Sequence, residues 1–206
     1  MNSIEIRNLQ KNYKNFSLTI DNLEIPEGYI TGFIGPNGSG KSTITSFFEK
    51  VGRYTNADDI VMSTGMDNID AAILVDKMRY ESIEKNEDFT FETVLSSEYK
   101  MDILRKAKDE GYFIKCVFVL TIDPAINILR IESRVASGGH DVEHIKVIDR
   151  YYKSLGHIKE LIDICDILHV YDNTESPKRI IRKHKDDLSI YPNEYWTEQD
   201  IIKLLG

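Results

Sequence analysis

The stretch "GFIGPNGSGKST", residues 32–43, carries the strongest signal in the chain. Gly35, Pro36, Asn37, Gly38, Ser39, Gly40, Lys41 and Ser42 satisfy in full the pattern of a glycine, four residues, then Gly-Lys and a hydroxyl residue. The mostly apolar run from Tyr29 to Ile34 reads as a strand leading in, and "STITSFFEK" reads as a helix leading out to about residue 50. Between them, the glycines let successive backbone N–H groups turn inward around an anion without Cβ clashes. The helix N-terminus adds partial positive charge at the same place. Lys41 is expected to reach the β- and γ-phosphates of ATP, and the Ser42 hydroxyl to ligate Mg²⁺. Thr43 closes the expected nucleotide-binding stretch.

Composition narrows the classes. At 206 residues the chain is long enough for a real core and reads as one domain. A formal net charge of −8 argues against a general nucleic-acid binder. Cys116 and Cys165 each sit in an apolar run, which speaks against a disulfide framework and for a reducing cytoplasm. "MNSIEIRNLQKN" lacks the apolar centre of a signal peptide, and "YFIKCVFVLTI" is too short to span a bilayer but suits a buried strand. A cytoplasmic protein with neither membrane nor nucleic-acid partner is expected.

Along the chain, "SIEIRNLQKNY" and "FSLTIDNLEIPEG" read as antiparallel strands, broken before the loop strand by Pro26 and Gly28. A short strand then brings in "YTNADDI", "NIDAAILVDKMRYESIEKN" is helical, and "FTFETVL" is a strand. "EYKMDILRKAKDEG" is an amphipathic helix closed by Gly111. Asp123 caps a helix whose first residue is Pro124. The spacing of Val142, Ile145, Ile148, Tyr152, Leu155, Ile158 and Leu161 predicts one buried helical face. "DILHVYDN" and "RIIRKHK" are the last strands, the latter a candidate edge, and "TEQDIIKLL" is a capped terminal helix. Strand and helix alternate, so the expected class is α/β: a P-loop type, mostly parallel sheet flanked by helices, with short antiparallel N-terminal strands.

Two resemblances follow from these motifs. The first 45 residues are similar to the opening of ABC-transporter ATPase domains. A motor of that kind needs an L-S-G-G-Q type segment and an apolar strand ending in Asp-Glu. In "ASGGHD" (136–141) His140 replaces the Gln and Ala136 the Leu; in "AILVD" (72–76) the setting is helical and Lys77 follows the Asp. Both read as look-alikes. From the loop onward, "GPNGSGKST", "NADDI", "FETVLSS", "RVASGGHDV", "IDRYYKSL" and "VYDN" come in the order of the zeta-toxin and UDP-N-acetylglucosamine kinase superfamily, and the chain resembles its small branch named after ABC-type ATPases. The two resemblances together imply a single P-loop kinase-like domain over 1–206: a zeta-toxin-like core at 29–206 behind an ABC-like hairpin at 1–28 that is longer than the start expected of the kinase family. The kinase resemblance also implies ATP and Mg²⁺ as cofactors and a UDP-N-acetyl sugar as the phosphate acceptor. A toxin role would require a separate antitoxin protein.

Asp58 falls just after the second strand of the core, at the sheet end where the loop lies, so its carboxylate can orient an acceptor hydroxyl and take its proton. The resemblance assigns the catalytic base here; Asp59 is the competing neighbour. Similarity implies that Glu92 and Thr93 contact the acceptor or its diphosphate, and Glu92 could equally hold a Mg²⁺-bound water or cap the next helix. Arg134 and Arg150 flank the Gly-Gly segment and could neutralise the travelling phosphoryl group, where similarity places the family's transition-state arginines; Arg130 is the alternative to Arg134. His140 would orient that segment or touch substrate. Asp172 and Asn173 meet the nucleotide base or form a turn. Tyr13 could stack on adenine from the lead-in. Trp196, with Tyr191 and Tyr195, reads as a packing patch for the terminal helix.

Overall fold

The computed structural model describes residues 2–12, 17–26, 28–137 and 142–206. Strand β1 (Asn2–Asn12) pairs antiparallel with β2 (Ser17–Pro26) as a two-stranded sheet of its own. A second sheet has seven strands. Across it run β4 (Arg53–Thr55), β5 (Phe89–Thr93), β3 (Tyr29–Ile34), β6 (Phe113–Leu120), β7 (Ile167–Asp172), β8 (Lys178–His184) and β9 (Asp187–Ile190). The first five of these are parallel, and β8 and β9 turn antiparallel. Every position of β3 and β5 is buried, as near-continuous apolar runs require when helices cover both faces.

The helices are α1 (Lys41–Thr45), α2 (Ala57–Thr64), α3 (Asn68–Glu84), α4 (Glu98–Asp109), α5 (Pro124–Ala136), α6 (His144–Gly156), α7 (Ile158–Ile164) and α8 (Glu198–Leu205). Several termini follow the sequence reading. The Asp123 carboxylate accepts from the Ala125 N–H at 2.7 Å, with Pro124 opening α5. Gly111 takes φ +81° just past α4. Thr197 and Asp200 cap α8 reciprocally, and Trp196 sits in the core beside Ile201. Because β3, β4, β5 and β6 run parallel, their carboxyl ends bring the loop, residues 56–58, Glu92 and Thr121 to one edge of the sheet.

Three expectations are corrected. The helix after the loop stops at Thr45, short of residue 50. Val51 is fastened to Thr90 by two hydrogen bonds (3.0 and 2.8 Å), so the chain must leave the helix to reach the sheet. The buried face of α6 is Val147, Tyr151 and Ser154, while Ile145 and Tyr152 are 76% and 61% exposed. Tyr151 donates to the Thr121 carbonyl and Ser154 to the Val94 carbonyl, each at 2.6 Å, and these bonds turn the hydroxyl face inward. Lastly, the outer strand is β9 and not β8; the hairpin turn uses Lys185 at φ +54°, without the Gly or Asn that would announce it.

Both cysteines are buried free thiols. Among the described residues no helix is long and apolar enough to cross a membrane. Replacing Asp123 by Ala should cost about 1 kcal/mol by loss of the α5 cap. Urea unfolding would show this as a lower midpoint with an unchanged slope.

Candidate functional site

The loop is held from three sides. A Cβ on Gly38 would lie 2.4 Å from the Asn127 carbonyl of α5, and Gly38 has φ +78°. At Gly40, with φ +95°, a Cβ would lie 2.3 Å from the Asn173 amide nitrogen. Only glycine satisfies both the left-handed backbone and the close approach. Asn173 donates to the Ser39 carbonyl at 2.7 Å. Arg130 in turn donates to the Asn173 and Thr174 carbonyls, each at 2.9 Å, and the buried Asp172 carboxylate accepts from the Thr174 N–H and hydroxyl. Asp172 and Asn173 therefore form a turn that braces the loop, and Arg130 supports that turn. Arg150 reaches the loop itself, donating to the Asn37 side-chain oxygen at 3.5 Å.

Lys41 opens α1 and folds back to donate to the Pro36 carbonyl at 3.1 Å. Its stem is partly exposed, but its ammonium is desolvated, which lowers its pKa to about 8 against the opposing pull of Glu92 and Asp58. Lys100 and Arg134 push it the same way as desolvation, so Arg134, itself exposed, lies within electrostatic reach of the loop lysine.

Glu92, one residue before the end of β5, is buried and gathers the hydroxyls around it. It accepts from Ser42 at 2.6 Å, from Thr45 at 3.1 Å and from Tyr54 at 3.4 Å. Ser42 and Glu92 thus offer hard oxygen donors side by side next to the loop, the donor chemistry that suits Mg²⁺. Thr93, also buried, accepts the Gly35 N–H through its carbonyl at 3.3 Å. Thr43 lies exposed in the first turn of α1.

A cleft of about 80 Å³ opens beside Lys41, lined also by Asp58, Asp76, Arg79, Glu92 and Lys100. Asp58 stands in the first turn of α2, where the Asn56 cap accepts its N–H at 3.1 Å. Asp59 does not line this cleft; burial, and then Glu92, raise its pKa. Arg79 forms a buried ion pair with Asp76 at 2.9 Å and donates to the Thr55 hydroxyl (3.0 Å) and the Glu92 carbonyl (3.2 Å). The sequence reading missed Asp76, Arg79 and Lys100 as site residues. It set "AILVD" aside as a look-alike of a Walker B strand, and Asp76 is indeed in α3, but Ala72, Val75, Asp76 and Arg79 share the helical face that meets the cleft. A charged pair at i and i+3 on that face was the available signal.

A larger hollow of about 460 Å³ lies at the opposite, amino-terminal end of the strands, beside Gly28, Gly52 and Asp88. Its Asp88 is engaged with the Tyr29 N–H at 2.7 Å, and its Arg53 pairs with Glu81 at 3.4 Å. Tyr13, and residues 138–141 with His140, lie outside the described residues.

Sheet order, loop and cleft define a P-loop protein of the α/β class. The family model described as ABC transporter matches residues 18–189, and the chain belongs to that family. This extends the ABC likeness well past the first 45 residues, where the sequence reading had ended it. An uncharacterized protein of Haemophilus influenzae is 30% identical over 125 residues, covering 58% of this chain and 89% of that protein. Among solved structures, the complex of AvrRxo1-ORF1 with AvrRxo1-ORF2 and sulphate ions aligns with a TM-score of 0.62 at 12% identity. That match covers 88% of this chain and 64% of the other; the same complex solved with ATP aligns at 0.59. A structure of the PezAT chromosomal toxin–antitoxin system of Streptococcus pneumoniae aligns at 0.52 and 16% identity, covering 72% of this chain and 69% of the other. At these identities the likeness is one of fold.

The lowered pKa of Lys41 has a measurable consequence. Bound phosphate favours the ammonium form, whereas the free protein loses that proton near pH 8. ATP affinity, measured by calorimetry, should therefore fall roughly tenfold from about pH 7 to about pH 9. In Lys41→Met it should be weak and flat over the same range.

Proposed function

We propose that the protein is an ATP- and Mg²⁺-dependent phosphotransferase of the zeta-toxin type, moving the γ-phosphate of ATP to a hydroxyl of a small molecule. The acceptor that the family resemblance implies is a UDP-N-acetyl sugar. The observation that carries this reading is that Asp58 opens onto the same cleft as Lys41 and Glu92. A carboxylate facing a phosphate loop across a space open to a guest is the arrangement a kinase needs and a simple hydrolase does not.

In this proposal the loop N–H groups and Lys41 hold the β- and γ-phosphates. Mg²⁺ at Ser42 and Glu92 would supply charge neutralisation. Asp58 accepts a hydrogen bond from the acceptor alcohol and takes its proton as the oxygen bonds to the γ-phosphorus. The bond to the bridging oxygen breaks in line, and ADP leaves. Arg150, already on Asn37, and Arg134, within reach of Lys41, balance charge on the transferring group. Thr93 borders the acceptor side of the cleft.

The resemblance supports a kinase core at 29–206 behind a hairpin at 1–28. Two buried thiols support a reducing cytoplasm as its location. Of the solved structures of like fold, a two-component complex was obtained also with ATP, which supports ATP as ligand, and another belongs to a toxin–antitoxin system, which supports a separate antitoxin as partner. A second reading, favoured by the family match, is an ABC-like switch that closes a dimer around ATP without an acceptor. Against it, Asp76 lies in a helix and not at the end of a strand.

Incubation with γ-labelled ATP, UDP-N-acetylglucosamine and a metabolite extract separates the two. The kinase reading expects label in a phosphate ester identified by mass spectrometry; label recovered only as inorganic phosphate contradicts it. Asp58→Asn should keep ATP binding and lose at least about 10²-fold in transfer, measured at saturating ATP.

A further inference from the structure

Lys100 occupies a position that ordinary helix chemistry disfavours. It lies in the first turn of α4, where the helix macrodipole repels a cation. Its ammonium is held below the usual lysine pKa by burial first and then by the guanidinium of Arg79, with Arg150 adding to the effect and the carboxylates of Asp76 and Asp58 opposing it. Among the described residues this ammonium makes no hydrogen bond or ion pair, and a desolvated charge without a partner is costly. The other charged groups of the cleft are engaged. Lys41 lies on the loop, Arg79 on Asp76, and Glu92 on Ser42 and Thr45, while Arg150, outside the cleft lining, is on Asn37. That leaves Asp58 and Lys100 as the two opposite charges lining the cleft with no side-chain partner within hydrogen-bond distance. A cation set against the helix dipole inside a cleft, with no direct hydrogen-bond partner, marks a functional group.

We infer that Lys100 is a specificity-determining residue that holds an anionic substituent of the acceptor, so that the preferred substrate is an alcohol bearing a phosphate or carboxylate a few bonds from the reacting hydroxyl. This rests on the phosphotransferase reading. Asp58 would take the hydroxyl end of such a molecule and Lys100 the anionic end, and the small cleft that both line suits one compact charged group. The step remains the one already written: the alcohol oxygen bonds to the γ-phosphorus, its proton passes to Asp58, and ADP leaves. The anionic substituent is not altered.

The test uses the whole chain, γ-labelled ATP and matched alcohols: glycerol with glycerol 3-phosphate and glycerate, and N-acetylglucosamine with its 1-phosphate. Wild-type protein should favour the anionic member of a set by at least about tenfold in kcat/KM, and the phosphate and carboxylate arms show which anion is read. Lys100→Met should abolish that preference mainly through KM of the anionic member, and Lys100→Arg should restore it. A wild-type preference for neutral alcohols overturns the inference and leaves the kinase reading intact. An equal loss for charged and neutral acceptors in Lys100→Met also overturns it, because Lys100 would then act on the nucleotide. Transfer to no alcohol, with phosphate released only to water, overturns the kinase reading and this inference with it.

Discussion

The buried carboxylate of Glu92 ties the phosphate loop to the rest of the sheet. It takes the Ser42 hydroxyl at 2.6 Å and the Thr45 hydroxyl at 3.1 Å, joining β5 to the helix that follows the loop. A buried carboxylate is tolerated only when its oxygens are satisfied, so these hydroxyls and Tyr54 fix where the first turn of α1 can lie. The same strand end presents the Glu92 carbonyl to Arg79, whose bonds to that carbonyl and to the Thr55 hydroxyl position α3 over the cleft. One residue thereby sets the loop, the candidate cation position and the cleft wall in register with one another.

This arrangement reconciles family and proposed chemistry. The chain belongs to the ABC transporter family by its sequence over residues 18–189. Yet what stands opposite the loop within this one chain is a cleft walled by α2, α3 and α4. The phosphate-binding apparatus and the cleft-forming helices are separate stretches of sequence, so a shared loop does not dictate a shared acceptor.

The loop, the strands on either side of it and the caps at Asp123 and Thr197 were legible because each rests on a local rule with a fixed spacing. Asp58 was legible as a polar residue just past a strand. What escaped depended on tertiary partners. Tyr151 and Ser154 bury their hydroxyls only because strand-end carbonyls of Thr121 and Val94 wait for them, and a pattern that scores hydroxyls as polar turns α6 the wrong way. The first helix ends early because Val51 is claimed by Thr90, 39 residues away. Asp76 and Arg79 look like ordinary helix-surface charges until the neighbouring strands bury them at 2.9 Å from each other. Asn173 looked equally like a base contact or a turn, and its bond to Ser39 spans 134 residues of sequence.

The most direct measurement is a crystal structure of the protein bound to a non-hydrolysable ATP analogue and Mg²⁺. The account predicts the metal between Ser42, Glu92 and the terminal phosphates, with the Asp58 carboxylate facing the γ-phosphorus across a gap wide enough for one hydroxyl. A γ-phosphate enclosed by a second copy of the chain, with Asp58 turned away from it, would contradict the account.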